Sequence, residues 1–471
     1  MSFTSQYQTK QSNLYPFLFA VGLFFVLISP AFLTDGMFMD GLYYATISKN
    51  LAEHFGTFWA PEFTETYPWG NGHPPLAFLF QSILFHFSHS LLVAKIYSVF
   101  TCLCCGLLMY WICLELEMKK QHFWFVLVIW ITIPLVSWGA TNNLLENTMA
   151  VFILLSVIFY LKSMKSRRFL MLACAGLMLF LAFLTKGFTG IYPLAFPAIC
   201  WLFVRNTTFK NMVIDTFVIL LFMTMPFVLI WYLCPAAQQF FKDYFSIQIV
   251  SSIQNAQTVD SRFFIIIRFF KEMILPIVIV GGILLIAMKQ NVFKDTHSST
   301  HNRWALAFLF LTLAGVLPIM ISLKQRGFYI LTVFPLISIG LGLFAEPFLE
   351  NIHFGLKFKT VCKVLTICVI IAALGANLFF AGKIGRDKEL LTDIYAILPE
   401  MQEHDVISIN DDLSSNYSAR AYFYFLKKVS LDQNSSREFL LCTQPIDDPN
   451  YELYRKAPND LILYRQITPE K

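Results

Sequence analysis

The stretch Pro75–Ser88, PLAFLFQSILFHFS, decides how this chain is threaded. It is apolar, but it starts at the second proline of the Pro74-Pro75 pair, carries Gln81 and His86, and is short. Crossing roughly 30 Å of hydrocarbon takes about 20 apolar residues, and a run of about 10–14 suits an interfacial or buried helix better. Other apolar runs flank it at 15–33, 92–113, 123–140, 143–161, 169–185, 188–204, 212–234, 264–288, 304–322, 327–345 and 360–381. If 75–88 lies in the interface, the connections 114–122, 162–168 (KSMKSRR), 205–211, 289–303 and 346–359 all fall on the same side as the N-terminus. Each of them is net basic or rich in Lys and Arg, as cytoplasmic loops are. If 75–88 crosses, KSMKSRR and the others move outside. The first reading wins, and predicts eleven spans and an external C-terminus.

The bulk composition agrees. Of 471 residues, 57% are hydrophobic, 17% aromatic and only 14% charged, and the mean hydropathy is +0.60. Soluble domains carry about 25% charged residues. The predicted fold class is all-α and polytopic, with about eleven transmembrane helices, external amphipathic helices and a small C-terminal α/β domain. Residues 1–382 form the membrane domain and 383–471 the external one. The first run is longer than a signal-peptide core and no small-residue cleavage site follows it, which predicts an uncleaved anchor. Nine of the ten cysteines lie in or beside apolar runs as small hydrophobes; Cys442 stands in the tail, and no CxxC pair marks a metal or redox site. The net charge of +5 follows topology, and no nucleic-acid motif is present. No internal repeat of the kind that builds many transporters is visible.

Upstream of 75–88 the external loop 34–91 begins TDGMFMDGLYYATISKNLAEHFGTFWAPEF. It is too polar to span and too aromatic for a solvated linker, which suits a loop lying at headgroup level. If its start is helical, Asp40, Tyr43, Tyr44 and Ile47 share one face. A half-buried carboxylate there can act as a general base toward a hydroxyl; equally, Asp40 is a favoured helix N-cap, and Asp35 caps the preceding turn. Lys95, Lys186, Lys324 and Arg326 fall at external helix ends, where cations need a partner such as a lipid phosphate. For Lys186, snorkelling to headgroups is the plainer alternative. Residues 235–263 read as an amphipathic surface helix. In the tail, DVISIN, REFLLCT and DLILYRQ read as strands and 414–428 as an amphipathic helix.

In this order the motifs resemble those of the C-type polytopic glycosyltransferases that use lipid-phosphate sugars. Within them the chain is similar to the bacterial aminoarabinose transferases of lipid A and the relatives of protein O-mannosyltransferases. An acidic pair followed by Tyr in the first external loop is represented by Asp40-Gly41 and Tyr43, with Gly41 replacing the second acid. His73–Leu76 (HPPL), Lys95 in KIYS, Glu146 in NNLLENTMA, Leu184–Gly187 (LTKG) and KQRGFYILTVFP at Lys324–Pro335 follow, the last with an inserted-looking Gly327. The resemblance covers about 15–345.

The resemblance implies an enzyme that moves a sugar from a polyprenyl-phosphate carrier to a lipid, glycan or protein acceptor at the outer face of the inner membrane. It implies catalytic roles for Asp40 and Glu146, and donor-phosphate contacts from His73, Lys95, Lys186, Lys324 and Arg326. Tyr43, Tyr44 and Tyr329 would line the acceptor or sugar. For Glu146 the alternative is a charge favoured by the helix dipole. Some relatives hold a divalent ion through an acid before the Pro-Pro pair and a loop histidine. Here Gly72 stands at the first position and 235–263 has no His, so no metal and no cofactor are expected. A transporter or flippase of lipid-linked sugars is the rival reading, and it predicts ionisable groups near the bilayer midplane.

Overall fold

The computed structural model describes residues 3–68, 72–250, 257–292, 299–353, 355–433 and 437–467. The chain divides into two compact units. The first comprises Met1–Ser29, Ser98–Ala140 and Leu144–Phe379; the second Pro30–Tyr97, Thr141–Asn143 and Phe380–Lys471.

The first unit is helical. Among the described residues eight helices are long and apolar enough to cross a membrane, and up to ten if two bent pairs each count once. The eleventh predicted run, Phe188–Val204, is a shorter apolar helix assembled from 3-10, α and π turns around Pro193 and Pro197. The chain enters through α1 (Phe3–Phe32) and returns through α4 (Leu91–Glu115). The expected span 123–140 is broken into α5 (Phe123–Ile131) and α6 (Pro134–Thr141), bent by 79°. Pro134 causes the break, since proline cannot continue a hydrogen-bond ladder. The amide thereby freed on Leu135 donates to buried Glu272 Oε2 at 2.9 Å. Next, α7 (Leu145–Ser163) and α8 (Arg168–Lys186) form a helical hairpin through Arg167, whose φ of 46° lies in the left-handed region. At that end Lys165 pairs with Glu115 at 3.0 Å, Arg168 with Asp215 at 2.7 Å, and Lys119 with Glu350. Lys294, from the same set of basic connections, is outside the described residues.

The second unit joins the loop after α1 to the tail. Its α2 (Met39–Ala52) has ten buried residues out of fourteen, so the loop's first helix is enclosed by protein instead of lying on a surface. The helix and the loop that follows it meet partners distant in sequence. Phe55 meets Tyr424 at 6.2 Å, Tyr67 meets Tyr417 at 5.9 Å, and Lys49 Nζ donates to the Phe425 carbonyl at 2.7 Å. A two-residue hairpin, β1 (Gly56–Thr57) and β2 (Ala60–Pro61), closes the loop. The contested segment becomes α3 (Leu76–Phe85), ten residues long. At 1.5 Å per residue that is about 15 Å, half of a bilayer core.

The tail carries β3 (Val406–Ile409), β4 (Ser430–Asp432), β5 (Phe439–Cys442), β6 (Tyr451–Lys456) and β7 (Ile462–Gln466) in the order β4-β3-β5-β7-β6. The β3 pairings are parallel and those of β7 antiparallel. The predicted helix is Tyr417–Lys427. The predicted surface helix is seen as Pro235–Asp243 running into a π segment; residues 251–256 of it lie outside the described residues.

Candidate active site

In the second unit Asp40 is the second residue of α2. The N-cap is Phe38, without a side-chain cap, so Asp40 is not the capping residue and sits in the first turn, where the dipole favours a carboxylate. The helix start is held from outside its own sequence. Asn142 Oδ1 accepts from Phe38 N at 3.0 Å, and Asn143 Nδ2 donates to the Gly41 carbonyl at 2.9 Å. Asn143 and Gln81 exchange two amide hydrogen bonds of 2.5 and 3.2 Å. This clamp explains the departure at the second acidic position. A Cβ on Gly41 would sit 1.9 Å from the Asn142 carbonyl oxygen, so no larger residue fits.

Tyr43 stacks on Phe63 with ring centroids 3.6 Å apart; burial raises its pKa well above that of an ordinary phenol. Tyr44 is buried and meets His73 edge-on at 5.8 Å. Lys95 is also buried, and its ammonium donates to the carbonyls of Ala31 at 2.7 Å and Thr34 at 2.5 Å. Ala31 lies in the last turn of α1 and Thr34 two residues past its end, so Lys95 acts there as a C-terminal cap.

In the first unit Glu146 opens α7 and Lys186 closes α8. Lys186 Nζ meets Glu146 Oε1 at 2.5 Å, with Glu146 fully buried and Lys186 7% exposed. Each charge sits at the helix end whose dipole favours it. The ammonium also lies 5.1 Å from the rings of both Phe328 and Tyr329, a cation–π geometry. Three of the expected residues (Glu146, Lys186 and Tyr329) therefore converge. Gly187 ends α8 with φ of 86°; a Cβ there would lie 1.9 Å from the Tyr244 hydroxyl. The LTKG glycine is thus both a left-handed helix stop and a contact for that tyrosine.

Lys324 is half-buried and Arg326 exposed. Between them Gln325, which sequence reasoning passed over, fixes the segment. It accepts from Ile265 N at 3.0 Å and donates to the carbonyls of Arg262 at 3.1 Å and Ser322 at 2.8 Å. Arg268 was missed as well. Its Nε lies 3.2 Å from where a Gly327 Cβ would be, and its guanidinium pairs with Glu272 at 2.5 Å. The inserted-looking Gly327 makes room for this arginine. A cation in a run reading FIIIRFFKE was the available signal. Among the described residues no cluster of three His, Cys, Asp or Glu side chains is arranged to hold a metal ion.

No family model and no curated protein matches the chain. Among solved structures, it is similar to ArnT from Cupriavidus metallidurans bound to undecaprenyl phosphate, with a TM-score of 0.65 at 14% identity, over 96% of this chain and 97% of that one. The apo state of ArnT matches with a TM-score of 0.62 at 14% identity, over 94% and 96%. The chain therefore has the GT-C fold, ArnT-like along nearly its whole length, and is a multi-pass membrane protein.

Proposed function

We propose that this protein is a glycosyltransferase that moves a sugar from a polyprenyl-phosphate carrier to a hydroxyl of a lipid, glycan or protein at the outer face of the inner membrane. The buried Glu146–Lys186 pair beneath Tyr329 is the observation that carries the reading. A lysine at a helix end is fixed in one place by one carboxylate and two aromatic rings in a low-dielectric setting. It is pre-organised to meet a phosphate. The undecaprenyl phosphate of the ArnT structure supports that class of carrier.

In the proposed reaction Asp40 takes the proton of the acceptor hydroxyl, and the hydroxyl oxygen attacks the anomeric carbon. The bond from that carbon to the phosphate oxygen breaks, and the polyprenyl phosphate leaves with one more negative charge. The family resemblance assigns Lys186, Lys324, Arg326 and His73 to offsetting that growing charge, which is where binding accelerates the step. Arg268 and Gln325 position the Lys324–Tyr329 segment, and Lys95 positions the end of α1. Tyr43, Tyr44 and Tyr329 offer flat faces to the sugar or acceptor.

The test is transfer of label from a polyprenyl-phosphate sugar in membranes containing Asp40→Asn. The expected loss is about 100-fold or more, the usual scale of a general base, with expression unchanged. Undiminished transfer removes Asp40 from the mechanism.

A further inference from the structure

A second feature of the first unit lies away from Lys186. An apolar groove of about 660 Å3 runs between α1, α4 and α5, within the ~300–1,000 Å3 of ordinary ligand sites. Along α1 it extends from Leu14 to Phe24, about 15 Å of helix, or one leaflet of hydrocarbon. Its wall is open sideways, through Leu103 at 45% and Leu107 at 69% exposure. Its mouth is polar, with Lys120 and Gln121, and Lys120 is exposed.

The mouth belongs to the basic end of the unit. Lys165 of the α7–α8 turn reaches Glu115 there at 3.0 Å, whereas Lys186 closes α8 at its other end, about 27 Å along the helix. The groove is therefore separate from the proposed donor-phosphate contacts. A water-soluble ligand has no use for a slot that opens onto acyl chains. An amphiphile with one chain in the slot, a second in the bilayer and an anionic head at Lys120 matches every wall.

We infer that this groove holds an anionic diacyl phospholipid of the leaflet on the Lys/Arg-rich side. One acyl chain lies against Phe17, Phe24 and Trp130, and the phosphate lies at Lys120. The site does not depend on the transferase reading.

Gly106 gives a clean way to block it. A Cβ there would stand 3.6 Å from Trp130 Cζ3 and 3.8 Å from Leu127 Cδ2, ordinary packing distances, so Gly106→Ala is tolerated while Gly106→Leu fills the slot. The full-length protein would be taken from membranes in mild detergent. Native mass spectrometry would then follow its titration with phosphatidylglycerol, phosphatidylcholine and undecaprenyl phosphate. The expected result is one phosphatidylglycerol retained over phosphatidylcholine by the unaltered protein and by Gly106→Ala, and lost in Gly106→Leu. In Lys120→Gln the preference for the anionic lipid falls about fivefold, the scale of one lysine at a membrane surface. Equal retention of both phospholipids by the unaltered protein overturns the proposal, as does retention by Gly106→Leu. Displacement of the retained lipid by undecaprenyl phosphate alone assigns the groove to the carrier and overturns it too. If Gly106→Leu does not fold, Lys120→Gln decides: an unchanged anionic preference overturns the inference.

Discussion

Lys95 and Lys186 look alike in sequence. Each is a lone lysine beside the end of an apolar run, and each has a place in the same set of motifs. The structure buries both and gives them opposite partners. Lys95 is answered by two backbone carbonyls, Lys186 by a carboxylate and two aromatic faces. A carbonyl carries no countercharge to release, so the first arrangement is a finished cap. The second is an ion pair that an incoming anion can compete for. What a buried cation can do is decided by what holds it.

Breaking the ion pair gives the largest expected effect. Glu146→Gln or Lys186→Met alone strands a buried charge, and removing one partner of such a pair costs about 3–5 kcal/mol. The double substitution Glu146→Gln with Lys186→Met recovers much of that stability without restoring transfer. Thermal unfolding in detergent, run beside the labelled-sugar assay, separates the two. Transfer restored together with stability would make the pair purely structural.

The helix start at Gly41 comes next. Gly41→Ala places a methyl group 1.9 Å from the Asn142 carbonyl oxygen, and overpacking of this kind costs about 1–3 kcal/mol or more. Asp40 is carried on that turn, so transfer falls with stability. An unfolding midpoint equal to that of the unaltered protein would mean the clamp yields freely.

Lys95→Met removes two hydrogen bonds to the end of α1 and should cost about 1–3 kcal/mol, with part of that offset by no longer burying a charge. Transfer per folded molecule stays within about twofold if the lysine only caps. A far larger drop in transfer than in stability would return Lys95 to the phosphate-binding set.

The parts of this that were legible in sequence are those set by local pattern. Run length and charge bias located the helices, and the shortness of Pro75–Ser88 marked it as a helix that does not span. Short apolar runs between polar residues in the tail picked out Val406–Ile409, Phe439–Cys442 and Ile462–Gln466, and an amphipathic pattern picked out Tyr417–Lys427. The strands Ser430–Asp432 and Tyr451–Lys456 were not legible. One is three residues long and the other mostly exposed, so neither has a burial pattern to read. The break at Pro134 could be suspected from proline alone, but not the Glu272 carboxylate that completes it. Asn142, Asn143 and Gln325 were invisible for the same reason: they act on partners 60 to 104 positions away in the chain.

The acidic counterpart of Lys95 gives the smallest effect and tests the same idea with the opposite charge. Asp412 in the tail is held by neutral donors, accepting from Thr443 N at 2.9 Å, from the Thr443 hydroxyl, and from Leu413 N at 3.1 Å. Partial burial pushes its pKa up, but these hydrogen bonds outweigh that and leave it below the ordinary carboxylate value. A depressed folded pKa means the unfolded chain binds the proton first. The stabilisation is therefore complete above the unfolded value of about 4 and is lost as pH falls through the lower folded value. Asp412→Asn and Thr443→Val should each flatten the acid limb of the unfolding-midpoint curve below about pH 5, and lower the midpoint slightly at neutral pH. The side chain is exposed, so the shift is small, and high salt should leave it unchanged because its partners carry no net charge. A salt-sensitive acid limb would show that a cation, and not Thr443, holds the carboxylate.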